Sequence, residues 1–399
     1  MKKSIIILCL TLGSSMLQAH KTITYTHTDK LFNDGCEMYD LQNYGVAFRY
    51  FGDYLQQFTS KDRNINYAEA EYYRACCAFE LGQPDAGLML DQYLADCPCS
   101  NHASKARLLR GITYFNRNKF VEAADSCFSR VNVKTLNRTD KDRYYFHYGY
   151  SELQLQEYDK ALSLFKQVSD GSTTYKQSAQ YYEAYICYLQ KNYDEALPTF
   201  LALQNSEKYA TTVPYYIAQI YYSKGMYDKV LEYGLNLVEK NPGNENNAEV
   251  FRLIGESYFQ QKDYDNTIKY LGMYEQRVSR IYRNDAYMLG TAYYNKGNYT
   301  EAVSRLQKVT VISNDEMAQN AYLYLGSCYL KLNDKNNARL AFEAASKLDF
   351  DKNVKEEAYY NYALIVYDQS YSPFNESVTA FENFLTQFPN SRYNEQVYN

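Results

Sequence analysis

One spaced pattern recurs through almost the whole chain. A small residue is followed three positions later by an aromatic or other apolar residue, and twelve positions later by a second small residue. Clear copies are Gly111/Tyr114/Ala123, Gly255/Tyr258/Thr267, Gly290/Tyr293/Ala302 and Gly326/Tyr329/Ala338. Weaker copies begin at Gly35, Ala75, Gly149, Ala184, Ala218 and Ala363, and successive starts lie 34 to 40 residues apart. A period in this range belongs to stacked supersecondary units, because no unit of that size buries its apolar face alone. A chain of 399 residues rarely folds around one core, and the period selects a linear array.

Each unit reads as two helices. Between Ala248 and Val278, apolar residues recur at Val250, Leu253, Ile254, Tyr258 and Phe259, a helical spacing. Gln261 to Asp263 break the pattern, and a second run follows with Tyr264, Ile268, Tyr270, Leu271 and Tyr274. The second helix is expected to open at Asn or Asp, as at Asn43, Asn192, Asp263, Asn298 and Asp334. Such side chains accept hydrogen bonds from the first turn, and Asp194, Asp265 and Glu301 suit the positive end of its dipole. Pro98, Pro242 and Pro389 fall where second helices stop, whereas Pro198 lies inside one and is expected to kink it. The small residues let the two helices of a unit approach. Phe51, Phe165, Phe200 and Phe342, four residues after the second small position, fill the space toward the next unit.

These positions resemble the tetratricopeptide repeat, and Gly290-x-x-Tyr293-x-x-x-Gly297-x-Tyr299-x-x-Ala302 is the fullest match. The resemblance spans roughly residues 29–390 in about ten units. It implies an all-α, right-handed superhelical solenoid of helix-turn-helix repeats. The family's Trp is missing, the unit at Ala75 has a loop one residue short, and the last unit has a longer loop through Ser370-Tyr371-Ser372-Pro373. Phe388-Pro389-Asn390-Ser391-Arg392-Tyr393 looks like the junctions in envelope members of the family from Gram-negative bacteria. Residues 391–399 read as the start of a further helix, too short for a full polar cap, which suggests a truncated chain.

The first nineteen residues read as a secretory signal peptide: Lys2 and Lys3, an apolar stretch from Ile5 to Leu17, then Ala19 at the cleavage point. Residues 20–28 form an N-terminal extension. Cys9 lacks the small residues that precede a lipoprotein cleavage site, and no later segment is apolar enough to predict a membrane span. A periplasmic protein is therefore expected. Loss of Lys2 and Lys3 takes the formal charge from −5 to −7, and nucleic-acid binders need a basic face.

Chemistry-bearing constellations are scarce. Cys97-x-Cys99-x-x-His102 has a metal-like look, but offers three ligands in one loop where structural zinc takes four. Inert thiols are expected there. Cys36, Cys76, Cys77, Cys127, Cys187 and Cys328 fall on helix faces as small hydrophobes. No nucleophile–base arrangement, phosphate loop or H-E-x-x-H motif occurs. Acid pairs such as Glu356-Glu357 read as solvated faces. No cofactor, metal, catalytic residue or small-molecule substrate is expected.

In this family the first helix of each unit lines the concave surface on which partners bind. By resemblance the inward positions include Phe32, Tyr39, Tyr72, Phe79, Phe115 and Phe146. The candidate partner groove comprises Tyr150, Tyr181, Tyr185, Tyr188, Tyr215, Tyr222, Phe259, Tyr287 and Tyr294. Tyr combines apolar area with one hydrogen bond at low entropy cost; the competing role for each ring is packing against the next unit. The family's carboxylate clamp places Asn just after the first small residue. Here that position reads Cys36, Cys76, Ile112, Tyr150, Tyr185, Gln219, Glu256, Thr291 and Ser327, so no clamp is expected. The sequence points to a non-catalytic scaffold in the envelope holding a protein or extended peptide. The alternatives are a factor handling unfolded outer-membrane proteins, or a hydrolase whose acid site is assembled from neighbouring helices.

Overall fold

The computed structural model describes residues 29–58, 65–171, 173–240, 242–244, 247–311, 314–369 and 376–398. The signal peptide, the N-terminal extension and the loop at Ser370–Pro373 lie outside them. Among the described residues the chain is all helical and contains no strand. It divides into two units, one ending at Tyr182 and the other beginning at Glu183.

The N-terminal unit pairs α1 (Lys30–Asp40) with α2 (Tyr44–Leu55) and α3 (Ile65–Glu80) with α4 (Ala86–Asp96). Helix α5 (Ala103–Phe115) packs on a π-helical segment, Glu122–Cys127, and α6 (Arg138–Gln154) packs on α7 (Tyr158–Ser169). Helix α8 (Lys176–Leu189) begins in this unit. In the C-terminal unit, α9 (Tyr193–Leu203) precedes the pairs α10 (Val213–Ser223)/α11 (Tyr227–Lys240) and α12 (Asn247–Gln260)/α13 (Tyr264–Glu275). The pairs α14 (Arg283–Asn295)/α15 (Tyr299–Thr310), α16 (Glu316–Lys331)/α17 (Lys335–Lys347) and α18 (Lys352–Gln369)/α19 (Glu376–Gln387) follow, then α20 (Asn394–Tyr398). Helix α20 stands where the sequence places a further helix. Helix α9 runs through Pro198. Pro98, Pro242 and Pro389 lie just past the ends of α4, α11 and α19.

Every described turn within a pair is the same device. The residue seven positions after the first small residue has positive φ: Gln42, Gly82, Asn118, Gln156, Lys191, Gly225, Lys262, Gly297 and Asn333. The next residue's N–H returns to the carbonyl five back, as in Asp263 to Tyr258 (2.9–3.0 Å across the set for Asn298 to Tyr293 and Asp263 to Tyr258). This is the Schellman closure, which satisfies carbonyls the helix end would leave open. The short unit at Ala75 keeps the device at Gly82.

The expected caps divide. Asp263 and Asp334 accept from the N–H of Asn266 and Asn337, at 3.1 Å each. Asn43, Asn192 and Asn298 make no side-chain cap. The difference lies three residues on. Asn266 and Asn337 donate their side-chain amides back to the second carboxylate oxygen, whereas Val46, Glu195 and Glu301 have no side-chain donor.

The small residues do what their spacing implies. A Cβ built on Gly255 would stand 2.7 Å from Leu271 Cγ and 2.9 Å from the Leu271 backbone nitrogen; one on Gly326 would stand 2.6 Å from Phe342. The residue that fills the crossing lies sixteen positions on, except that Gly111 meets Phe128, seventeen on. The π-helical segment absorbs this extra residue. Between pairs, filler rings stack on the next first helix: Phe51 on Tyr73, Phe165 on Tyr182, and Phe200 on Tyr216, with interplanar angles of 14°, 21° and 14°. The core is thus a string of small clusters at successive helix contacts.

Polar contacts add stitching. Lys224, Gln261 and Lys296 reach Asp194, Asp228 and Asp265 of the preceding pair. At the other edge, Arg283 donates to the Val309 carbonyl (2.8 Å) and, through both Nη atoms, to Asp315 (2.6 and 2.7 Å). Asp315 in turn caps α16 through the Ala318 N–H. Gln319, wholly buried, donates to the carbonyls of Ala345, Leu348 and Asp351 and accepts from the Asp351 N–H.

Candidate partner-binding face

The first helices carry the rings singled out from sequence. Tyr150 on α6 and Tyr181 on α8 belong to the N-terminal unit. Tyr185 and Tyr188 on α8, Tyr215 and Tyr222 on α10, Phe259 on α12, and Tyr287 and Tyr294 on α14 belong to the other. All nine are partly exposed. Tyr72 corrects the wider inward set: it is 3% exposed, because the His102 ring stacks on it at 4.1 Å.

Ring contacts separate these residues by position. Tyr188, Tyr222, Phe259 and Tyr294 each meet the ring five residues on, across the turn. The partners are Tyr193, Tyr227, Tyr264 and Tyr299, with centroids 6.0, 5.7, 6.3 and 5.9 Å apart. These four rings brace the turn as well as facing outward. Tyr150 lies against Phe115 and Tyr182, and Tyr185 against Tyr188 and Tyr216. Tyr287 and Tyr294 both meet Tyr324. Tyr181 and Tyr215 contact the rings that follow them in sequence. Burial holds the hydroxyls of Tyr188, Tyr215 and Tyr222 above the ordinary phenol value. They stay neutral and able to donate.

A charged network, missed from sequence, lies among these rings in the C-terminal unit. Arg252 donates from Nη1 to Glu256 Oε1 (2.6 Å) and from Nε to Glu249 Oε2 (2.8 Å). Burial pulls the Arg252 guanidinium down, but the charges of Glu256 and Glu249 outweigh it and hold it above its usual value. Glu256 helps to raise the Tyr222 hydroxyl, and Glu249 and Arg252 act in opposite directions on that of Tyr215, so both rings lie within electrostatic reach of the network. Asp285, on α14, faces the same group. Glu256 is 2% exposed and Asp285 1%. These acids do converge from neighbouring helices, but they are sealed rather than set in a cleft. No sequence signal marks them: residues 256 and 285 are far apart and each resembles an ordinary helix-face acid.

Open clefts lie elsewhere. One of about 860 Å³ is lined by amide and apolar side chains including Gln204, Asn205, Tyr233, Asn236 and Leu237. Another of about 400 Å³ is lined by Val278, Ile281, Arg280, Arg283 and Val309. Both sit beside loops that join one pair to the next. His102 pairs with Glu69 (2.8 Å), and Cys97 is half-buried while Cys99 is exposed. Among the described residues no group of three or more His, Cys, Asp or Glu side chains is arranged for a metal. No helix among them is long and apolar enough to cross a membrane.

A family model described as tetratricopeptide repeat matches residues 149–210 and 287–352. No curated protein matches the chain. Among solved structures, a tetratricopeptide repeat protein from Parabacteroides merdae is 17% identical, covering 74% of this chain and 98% of its own, with a TM-score of 0.36. YrrB, described as a TPR protein with an unusual peptide-binding site, is 16% identical over 48% of this chain and 93% of its own, with a TM-score of 0.40. MamA from strain AMB-1 is 19% identical over 44% and 93%, with a TM-score of 0.38. Over residues 149–210 and 287–352 the chain is therefore similar to the tetratricopeptide repeat, and the same small-residue crossings recur outside those stretches, at Gly35, Gly111 and Gly255.

Proposed function

We propose that the protein is a non-catalytic interaction scaffold of the bacterial cell envelope, holding a protein or extended peptide against the aromatic face of its first helices. One observation carries this reading. Partly exposed rings stand in register on successive first helices of the C-terminal unit, from Tyr185 to Tyr294, and ring contacts order them in advance. A face ordered before binding loses less entropy when a partner docks. The tetratricopeptide fold itself supports protein–protein interaction. The envelope location rests on the signal-peptide reading of residues 1–19.

Photo-crosslinking in cells tests this, with the probe at Tyr185 or Tyr222 and a control at Leu340, which is 55% exposed on α17. One dominant adduct from the ring positions alone supports a dedicated scaffold. A smear of many adducts would instead favour a factor that handles unfolded clients. No adduct above the control would mean that the rings serve packing. Fractionation of the same cells, with the protein in the cytoplasm, would refute the envelope assignment.

A further inference from the structure

The Arg252 network holds one cation and three carboxyl groups, from Glu249, Glu256 and Asp285. Asp285 Oδ2 is enclosed and meets no N–H or O–H donor. Its neighbour is the Glu256 carboxyl, which is an acceptor when ionised. Two ionised carboxylates cannot satisfy each other, and burial magnifies their repulsion. One proton between them turns the contact into a hydrogen bond.

We propose that Asp285 and Glu256 share one proton across the α12–α14 contact, and that releasing it loosens the face bearing Tyr215 and Tyr222. The surrounding charges favour this assignment. Arg252 is already committed to Glu249 and Glu256, so it leaves Asp285 without a salt-bridge partner of its own. Tyr274 of α13, whose hydroxyl is raised by burial above the ordinary phenol value, and Tyr282 of the loop before α14 also lie near this group. On α15 and α16, Arg305 pairs with Glu275 and Glu301, and Tyr324 lies against Tyr287 and Tyr294. From α10, the Tyr222 hydroxyl feels the charge of Glu256, and the Tyr215 hydroxyl those of Glu249 and Arg252. A change of charge on the acid pair therefore acts directly on Tyr222 and, through Arg252, on Tyr215.

Burial, then the hydrogen bond and charge of Glu256, raise the Asp285 carboxyl from 3.8 to about 8. The folded state holds this proton more tightly than the unfolded chain does. Stability conferred by it is complete below about 4, falls as the pH rises from there toward about 8, and levels above that. The link to a partner rests on the proposed function; the proton itself does not, and it is measured on the free full-length protein.

The test is an infrared titration of the carboxyl carbonyl stretch in the parent protein, Asp285→Asn and Glu256→Gln. A protonated buried carboxyl at pH 7, lost with a midpoint near 8 in the parent and missing from Asp285→Asn, is the expected result. Denaturant unfolding supplies the second reading. Between pH 5 and 7 the parent's folding constant should lose close to tenfold more per pH unit than that of Asp285→Asn, one proton's worth. No protonated carboxyl in the parent at pH 7, or identical pH dependence in parent and Asp285→Asn, would overturn the proposal. The parent titration decides it even if a variant fails to fold. Crosslinking from Tyr222 at pH 6.5 and 9 then tests the link to binding separately.

Discussion

Gly255 has a close backbone approach at its crossing: a Cβ there would stand 2.9 Å from the Leu271 backbone nitrogen, against 3.3 Å from the Leu306 nitrogen at Gly290. A side chain rotates away; a helix backbone moves only as a unit. Gly255→Ala is expected to cost about 1–3 kcal/mol by overpacking. Gly45→Ala, with nothing within 4 Å of the added carbon, should be neutral or stabilising by up to about 1 kcal/mol through helix propensity. Denaturant unfolding of both variants checks the contrast; equal losses would show that crossing distance is not what selects glycine at position 255. This layer of the fold was legible in the sequence because size alone is conserved from copy to copy, whatever the residue's identity. The proton-bearing pair was not legible. Nothing in Glu256 or Asp285 distinguishes a sealed acid from a solvated one until the helices that enclose it are in place.

Between elements, the turn and the stitching carry different weights. Gln319 joins one helix to the loop beyond the next through four hydrogen bonds, and it is fully buried. Gln319→Leu strands those backbone groups and should cost about 1–3 kcal/mol. Lys296, which pairs with a largely exposed Asp265, should lose no more than about 1 kcal/mol on substitution by Ala. The π-helical segment makes a sharper prediction. Deleting Ser126 brings Phe128 to the sixteen-residue spacing from Gly111, so the variant should stay within about 1 kcal/mol of the parent. The same deletion at Ser304 of α15 shifts Leu306 off Gly290 and should cost several kcal/mol. Circular dichroism with denaturant titration compares them, and similar losses would argue that the extra residue is not a tolerated insertion. The sequence hinted at this one-residue offset, since Cys127 stands where other copies have Phe and Phe128 follows it. The common turn was harder to see, because Gln42, Asn118, Gln156, Lys191, Lys262 and Asn333 share with three glycines only a backbone angle.

For the molecule as a whole, each helix pair within a unit is held chiefly by its neighbours, so stability should be distributed rather than single-valued. Hydrogen exchange along the chain is expected to give opening energies that vary from pair to pair; one common value would contradict this. Binding through the rings should persist in high salt, since screening weakens charge contacts and leaves apolar burial in place. A partner lost on raising ionic strength would point to the acidic surface instead.

The shared position of the left-handed residue, seven after the first small residue in each described turn, bears on how such a chain changes over generations. A recombination event that excised Gly255–Leu289 would carry Ile254 directly to Gly290, with crossing residue, turn and filler arriving in the same order. Copy number is therefore open to variation without inventing new turn chemistry. The same excision would replace Glu256 by Thr291 and discard Asp285, so the architecture would survive a change of length while its titrating pair was erased.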